Sequence, residues 1–424
     1  MEEAVRALSG PEWLAEWRFG AFERFAAAEL PTDAEEVWRY SRIGDLDLGA
    51  YTPPTAAGDG PTLPLDRSVE MLLDAVAPLS GLLTSDGGRP VLTQVSPELA
   101  ASGTTLSALS DLPSGGELLG SVAPAHDALG ELARAFLVDA VVIDVPAGAR
   151  VEAPIALVHR VGGEAGSSFP RTIVRLGEGA SVSVVEVVTS ADRSSPALVM
   201  PIAELALDKG ASLAFHSVQD LNRHTFALTH HASTLERGAQ LTSLNAAFGG
   251  SYARCRTDSR LAGEGASSQL LAAYFGDGEQ MHDFRTLQEH AAPRTTSDLL
   301  FKGAVRDSAR SVYTGLIRIR PGAKGSDAFQ TNRNLVLSDG AYAYSVPNLD
   351  IEENDVRCSH ASTVGPIDTD QRYYLESRGV PPEVAERLIL VGFFEDLFAR
   401  SGVAGMADHL AGVVASRLEG ASRG

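Results

Sequence analysis

Apolar residues follow two rhythms along the chain, helical spacing near both ends and strand-like alternation between them. Within PEWLAEWRFGAFERFAAAEL, Leu14, Trp17, Ala21 and Phe25 fall at helical spacing, and Pro31 closes the run. A Pro- and Gly-rich loop, AYTPPTAAGDGPTLP, follows, so residues 1–135 are expected to form a helical region of segments joined by loops. From about residue 136 the pattern changes to short runs rich in Val, Ile, Leu and Thr, separated by a recurring Gly-Ala turn: PAGARVEAP, GEGASVSVV, DKGASLAFH, ERGAQLTSL and GEGASSQLL. The glycines of these turns stand at 148, 179, 210, 238 and 265, spacings of 31, 31, 28 and 27 residues. A period of that size marks a repeat architecture in which each unit buries its apolar face against its neighbours. The units have period two with no helical stretch between them, which predicts a mainly β fold with a β-solenoid core over 136–365. A β-sandwich whose hairpins favour Gly-Ala is the other reading. Turns at PGAKGSDAF and LSDGAYAYS carry the strands to about residue 365. Residues 366–424 return to helical spacing, with Val384, Leu388, Val391 and Phe398 on one face and a second amphipathic run in AGMADHLAGVVASRLEG. Their apolar faces must dock on the solenoid or on another protein.

Composition narrows the class. At 424 residues the chain is long enough for a large core or about two to three domains, and 44% hydrophobic with 21% charged residues suits a globular protein. A formal charge of -20 argues against a sequence-independent phosphate binder, so no nucleic-acid partner is expected. Two cysteines, Cys255 and Cys358, cannot build a disulfide framework, and MEEAVRALSG lacks the character of a signal peptide; a reducing cytoplasm is the expected location. No apolar run approaches the ~20 residues that span a bilayer, so no membrane association is expected.

Several chemistries are excluded by motif. None of the three lysines, at 209, 302 and 324, follows a glycine, so there is no P-loop; GxGxxG and HExxH are also missing. The one GxSxG match, GASRG, is the last five residues, which leaves no following helix for a nucleophile elbow. Among the histidines, His230 and His231 are adjacent and would point to opposite faces of a strand, so solvated or core histidines are expected there and not a shared metal. His216 and His224 flank a turn without a cysteine or carboxylate at ligand spacing. His282 and His290, beside Asp283 and Glu289, are expected in a buried polar network. With no CxxC pair, a closed structural zinc site is excluded. VRCSH remains: on a strand, Cys358 and His360 are i and i+2, project to one face, and lie ~6–7 Å apart at a rise of ~3.3 Å per residue. Thiolate and imidazole suit soft or borderline metals such as iron and its sulfide clusters, while a buried cysteine beside a core histidine is the alternative that spacing leaves open.

The stretch from His282 to about Gly379 resembles the SufB/SufD family of iron–sulfur cluster assembly scaffolds. The resemblance rests on HDFRTLQEHAAPRTTSDLLFKGAVRDSARSVYTGLIRI, DAFQTNRNLVLSDGAYAYSVPNLDIEENDVRCSHASTVGPID and YYLESRGV, with weaker likeness at PTDAEEVWRYS and AFLVDAVVIDVPAGARVEAPIALVH. PTDAEEVWRY and the lack of a cysteine-rich N-terminal portion make the SufD branch the closer fit. The sequence departs from the family at CSHASTVG, where Ala361 and Ser362 replace Gly-Ala, at Asp350 in NLDI, and at PGAKGSDAF. The resemblance implies a right-handed parallel β-helix between helical ends. It also implies a non-catalytic scaffold working in a cytoplasmic complex with a SufB-like paralogue and a SufC-like ABC-type ATPase. Possible homodimers when isolated, a transient iron–sulfur cluster, and no tightly bound cofactor in the lone chain belong to the same expectation. It puts VRCSH at the subunit interface, His360 ahead of Cys358 as a ligand. Val384, Leu388, Val391, Phe393, Phe394 and Phe398 are then expected to dock the ATPase as an amphipathic helix set in a groove. Two rivals stay open: a purely structural subunit in which Cys358 and His360 only pack, and a β-helix polysaccharide-degrading enzyme using carboxylates such as Asp258 or Glu264.

Overall fold

The computed structural model describes residues 1–55, 65–163 and 165–419. Among them, strands wind into a β-solenoid of about eight turns with helices at both ends. The solenoid has two sheets. One runs from Arg89–Val95 at one edge to Arg357–Gly365 at the other; the second runs from Thr105–Ala108 to Tyr342–Ile351. Successive strands alternate between the sheets, and each pairs in parallel with the strand one coil further on, as Thr225–Leu235 does with Tyr252–Leu261 and that strand with Met281–His290. Parallel pairing throughout this body excludes the sandwich, whose hairpins would pair antiparallel.

The Gly-Ala period has a simple cause. Gly148, Gly179, Gly210, Gly238 and Gly265 all adopt left-handed backbone, with φ of 65–74°. A Cβ at any of these positions would meet nothing within 4 Å, so conformation and not space selects glycine. The alanine that follows at 180, 211, 239 and 266 is fully buried and plugs the corner. Between corners, inward side chains stack from coil to coil. Tyr274, Phe284, Phe301 and Tyr313 form a ladder with successive ring centroids 4.6, 5.5 and 5.5 Å apart. Burying each such ring contributes ~1.5–3 kcal/mol.

The N-terminal region differs from the helical expectation. Helices Glu12–Ala27 and Ala128–Ala135 are present, but Gly81–Asp86 and Arg89–Val95 form an antiparallel hairpin that extends the first sheet. Thr105–Ala108 pairs antiparallel on the edge of the second. The hairpin turns on Gly87 and Gly88, at φ 57° and 94°, the pair of positive angles that a two-residue turn demands. The GxSxG match and most of the Pro- and Gly-rich loop lie outside the described residues.

At the other end, helices Pro382–Phe398 and Met406–Glu419 lie along the outer face of the first sheet. Leu390, Phe394, Leu397, Phe398, Met406, Leu410 and Val414 are buried there in one cluster with Val185, Leu244, Leu271 and Phe275 of the strands. This cover explains why strands such as Ser181–Ser190 are buried almost continuously. Lys302, itself buried, fastens the joint by donating to the Phe393 carbonyl at 2.6 Å and pairing with Asp396.

Candidate functional site

The last strand of the first sheet, Arg357–Gly365, carries both residues of VRCSH. It pairs in parallel with Asp327–Val336, which aligns Cys358 with Ala328 and His360 with Gln330. Ala328 and Gln330 are buried inward-facing residues, so Cys358 and His360 continue the inner stack where the solenoid ends. Cys358 is half-buried, packed on the cluster of Ile317, Ile319, Ala323 and Ala328; His360 is exposed. Burial, then the nearby Asp327 carboxylate, hold the Cys358 thiol above its ordinary range. A thiolate there therefore needs positive charge from a metal or from another chain. Cys255 is buried, and burial pushes its thiol up to about 12, which makes it inert packing.

The strand's second edge has no partner among the described residues. The neighbouring edge strand of the other sheet, Tyr342–Ile351, exposes Tyr342, Tyr344 and Ile351, and Phe329 and Val364 add to the same end. An open strand edge within an apolar patch is a pairing surface unless something covers it. Cys358 and His360 thus share one face, as their spacing predicts, on an end strand whose second edge is open among the described residues.

The helix expected to bind a partner divides in two. Phe394 and Phe398 are buried against the chain's own sheet, with Phe398 stacked on Phe394 at 5.7 Å, so neither is available to another protein. Val384 and Val391 are half-buried. Leu388 is 51% exposed and, with Phe393, lines a cleft of about 780 Å³ between this helix and the solenoid end near Pro366 and Asp368. Removing residues 380–424 would strip the cover from the first sheet, so truncation is not a clean probe of this surface.

The histidines separate by face. His282 and His290 are buried inside the solenoid, His282 against the Phe275 carbonyl and His290 between Thr295 and Ser297, a polar network and not a joint ligand set. His216 is also buried. His231 turns inward beside Glu186, 3.8 Å away, while His230 turns outward. His230 there meets two residues that sequence spacing did not connect to it, His126 and Asp258. His126 lies 104 positions upstream, and only the folding of the N-terminal region over the second sheet brings it near; no local signal carries this. Asp258 is engaged by Arg256, and Glu264 pairs with Arg294 in a corner.

No helix among the described residues is long and apolar enough to cross a membrane. Residues 159–393 match the SufBD core domain of the SUF system for FeS cluster assembly. An iron–sulfur cluster assembly SufBD family protein of Mycobacterium tuberculosis is 33% identical over 288 residues, covering 66% of this chain and 71% of the relative. The iron–sulfur cluster assembly protein SufD of Escherichia coli is 30% identical over 289 residues, 66% of this chain and 67% of the relative. SufD of Bacillus subtilis is 25% identical over 421 residues, 96% and 95% of the two chains. The matched core includes the terminal coil with Cys358 and His360, and with this likeness the chain belongs to the SufB/SufD family of iron–sulfur cluster assembly proteins.

Proposed function

We propose that the chain is the SufD-type subunit of a SUF assembly complex, pairing with a SufB-like paralogue and coupled to a SufC-like ATPase. The observation that carries this reading is the placement of Cys358 and His360 side by side on an end strand whose outer edge is open. A cluster takes about four protein ligands, mostly thiolates. This chain offers one thiol and one imidazole at that edge, so the remaining ligands come from the paralogue. Ligation there is transient: the raised thiol makes Cys358 a poor ligand until positive charge arrives, and His360 is the stronger candidate. In the absence of the paralogue the same edge suits a second copy of this chain. The chain acts as a scaffold, and ATP hydrolysis belongs to the separate ATPase.

Reconstitution of the full complex with iron and sulfide under reducing, anaerobic conditions tests the reading. His360→Ala should hold far less cluster than wild type and Cys358→Ala somewhat less, with subunit assembly intact in both. Wild-type cluster content in the histidine variant would support the purely structural subunit instead. For the ATPase, Leu388→Arg should weaken capture of the ATPase without lowering the chain's own stability, because Leu388 lies outside the buried cluster. Undiminished capture would move the docking surface elsewhere.

A further inference from the structure

We infer that His126, His230 and Asp258 form a binding site for a first-row divalent transition-metal ion, separate from Cys358 and His360. His230 is on Thr225–Leu235 and Asp258 on the adjacent Tyr252–Leu261, both facing out of the solenoid; the register sets Asp258 opposite Ala232, one diagonal step from His230. His126 approaches from the N-terminal segment that crosses this face, just ahead of the helix Ala128–Ala135. Tyr252–Leu261 lies three strands in from the Tyr342–Ile351 edge of the second sheet, whereas Cys358 and His360 belong to the first.

The geometry fits an ion. Nε2 of His126 and Nε2 of His230 stand 3.2 and 3.1 Å from one oxygen, Oδ2 of Asp258, and the three donor atoms all lie within 4.8 Å of one another. A tetrahedral ion with bonds of ~2.0–2.1 Å sets its ligand atoms ~3.3 Å apart, close to both imidazole–carboxylate distances. The donor set, two imidazoles and a carboxylate, suits borderline ions such as Fe²⁺ and Zn²⁺ over Mg²⁺ or Ca²⁺, which prefer all-oxygen shells. The imidazoles also line a partly open cavity of about 320 Å³ between the N-terminal segment and the sheet. Three protein ligands beside such a space leave a coordination position open to water or a small anion.

The surrounding charges are compatible with this assignment. Arg256 spans Asp258, with its Nε 3.1 Å from Oδ1 and 2.8 Å from Oδ2. It can keep Oδ1 while Oδ2 turns to the ion, the role of an outer-shell donor that orients a carboxylate ligand. Of the other two arginines on the cavity wall, Arg254 is neutralised by Asp283 at 2.9 Å and Arg134 pairs with Glu131 at 3.7 Å.

Titration of the full-length chain with Co²⁺, in a Cys358→Ala, His360→Ala background, tests the site. One saturable equivalent should appear, with visible ligand-field bands and no thiolate charge-transfer band. Anaerobic Fe²⁺ and Zn²⁺ should displace it, the tighter competitor identifying the preferred ion, and Mg²⁺ should not. His230→Gln and His126→Ala should each weaken binding more than about tenfold, and Arg256→Ala by ~10–100-fold, the usual loss for an outer-shell partner. His126 is exposed, so its variant folds irrespective of the buried neighbours. Absence of a saturable equivalent, or binding that survives His126→Ala unchanged, overturns the assignment. Because the background lacks Cys358 and His360, either result is independent of the cluster reading above.

Discussion

Truncating Phe394 to alanine should loosen the C-terminal helices from the solenoid, and the expected size follows from its surroundings. The ring is fully buried, stacks on Phe398, and meets Phe393 edge-on at 5.0 Å. Around it are Leu390 and Leu397 of its own helix and the outer face of the first sheet. Phe→Ala at such a site costs ~3–5 kcal/mol, which combines lost transfer energy with the cavity left behind. Leu388, half-exposed six residues away on the same helix, should cost within ~0.5 kcal/mol when truncated. Native-state amide exchange of the helix Pro382–Phe398 reads this difference, since each ~1.4 kcal/mol is tenfold in opening. Phe394→Ala should therefore speed exchange of that helix by roughly two to three and a half orders of magnitude, with Leu388→Ala close to wild type. Equal protection in the two variants, or a larger loss from Leu388→Ala, would refute the docking described for these helices.

Other outcomes follow from single features. Gly238→Ala should cost ~1–2 kcal/mol, because φ of 69° and not crowding is the obstacle, and Gly238→Asn should cost less; chemical denaturation measures both. Lys302→Met removes the bond to the Phe393 carbonyl and the ion pair with Asp396, and should destabilise the helix joint by ~1–3 kcal/mol, read as a lower unfolding midpoint. Burial pushes His282 and His290 down to about 4, so the folded state keeps them neutral while the unfolded chain protonates near 6.5. Stability is then complete above pH 6.5 and falls as pH drops towards 4; the loss between pH 7 and 5 should shrink in the double Gln variant, and an unchanged loss would assign it to other groups.

How far the fold was legible depended on whether its signals were local. The corner glycines announced the solenoid because each coil needs one left-handed residue at a fixed period. The Asp86-Gly87-Gly88-Arg89 turn carried an equally local hairpin signal, which the helical reading of residues 1–135 passed over. Pro382–Phe398 is apolar around most of its circumference, so periodicity could not choose between the face of Val384 and Leu388 and the buried face of Leu390, Phe394 and Leu397. That Cys358 and His360 share a face was legible because alternation on one strand fixes which residues share it, whereas a ligand role for them rested on the family resemblance alone. The His126–His230–Asp258 group was invisible for the opposite reason: its members meet only after the N-terminal segment folds across the sheet.

The central claim is that His360 ligates a nascent cluster at the open end of the solenoid. Pulsed electron–nuclear resonance on the reduced cluster, in a complex whose SufD-type chain alone carries ¹⁵N-histidine, addresses it directly. A ¹⁵N hyperfine coupling that disappears in His360→Gln is the result this account expects. A cluster that forms with no ¹⁵N coupling, or whose coupling persists in His360→Gln, would contradict it.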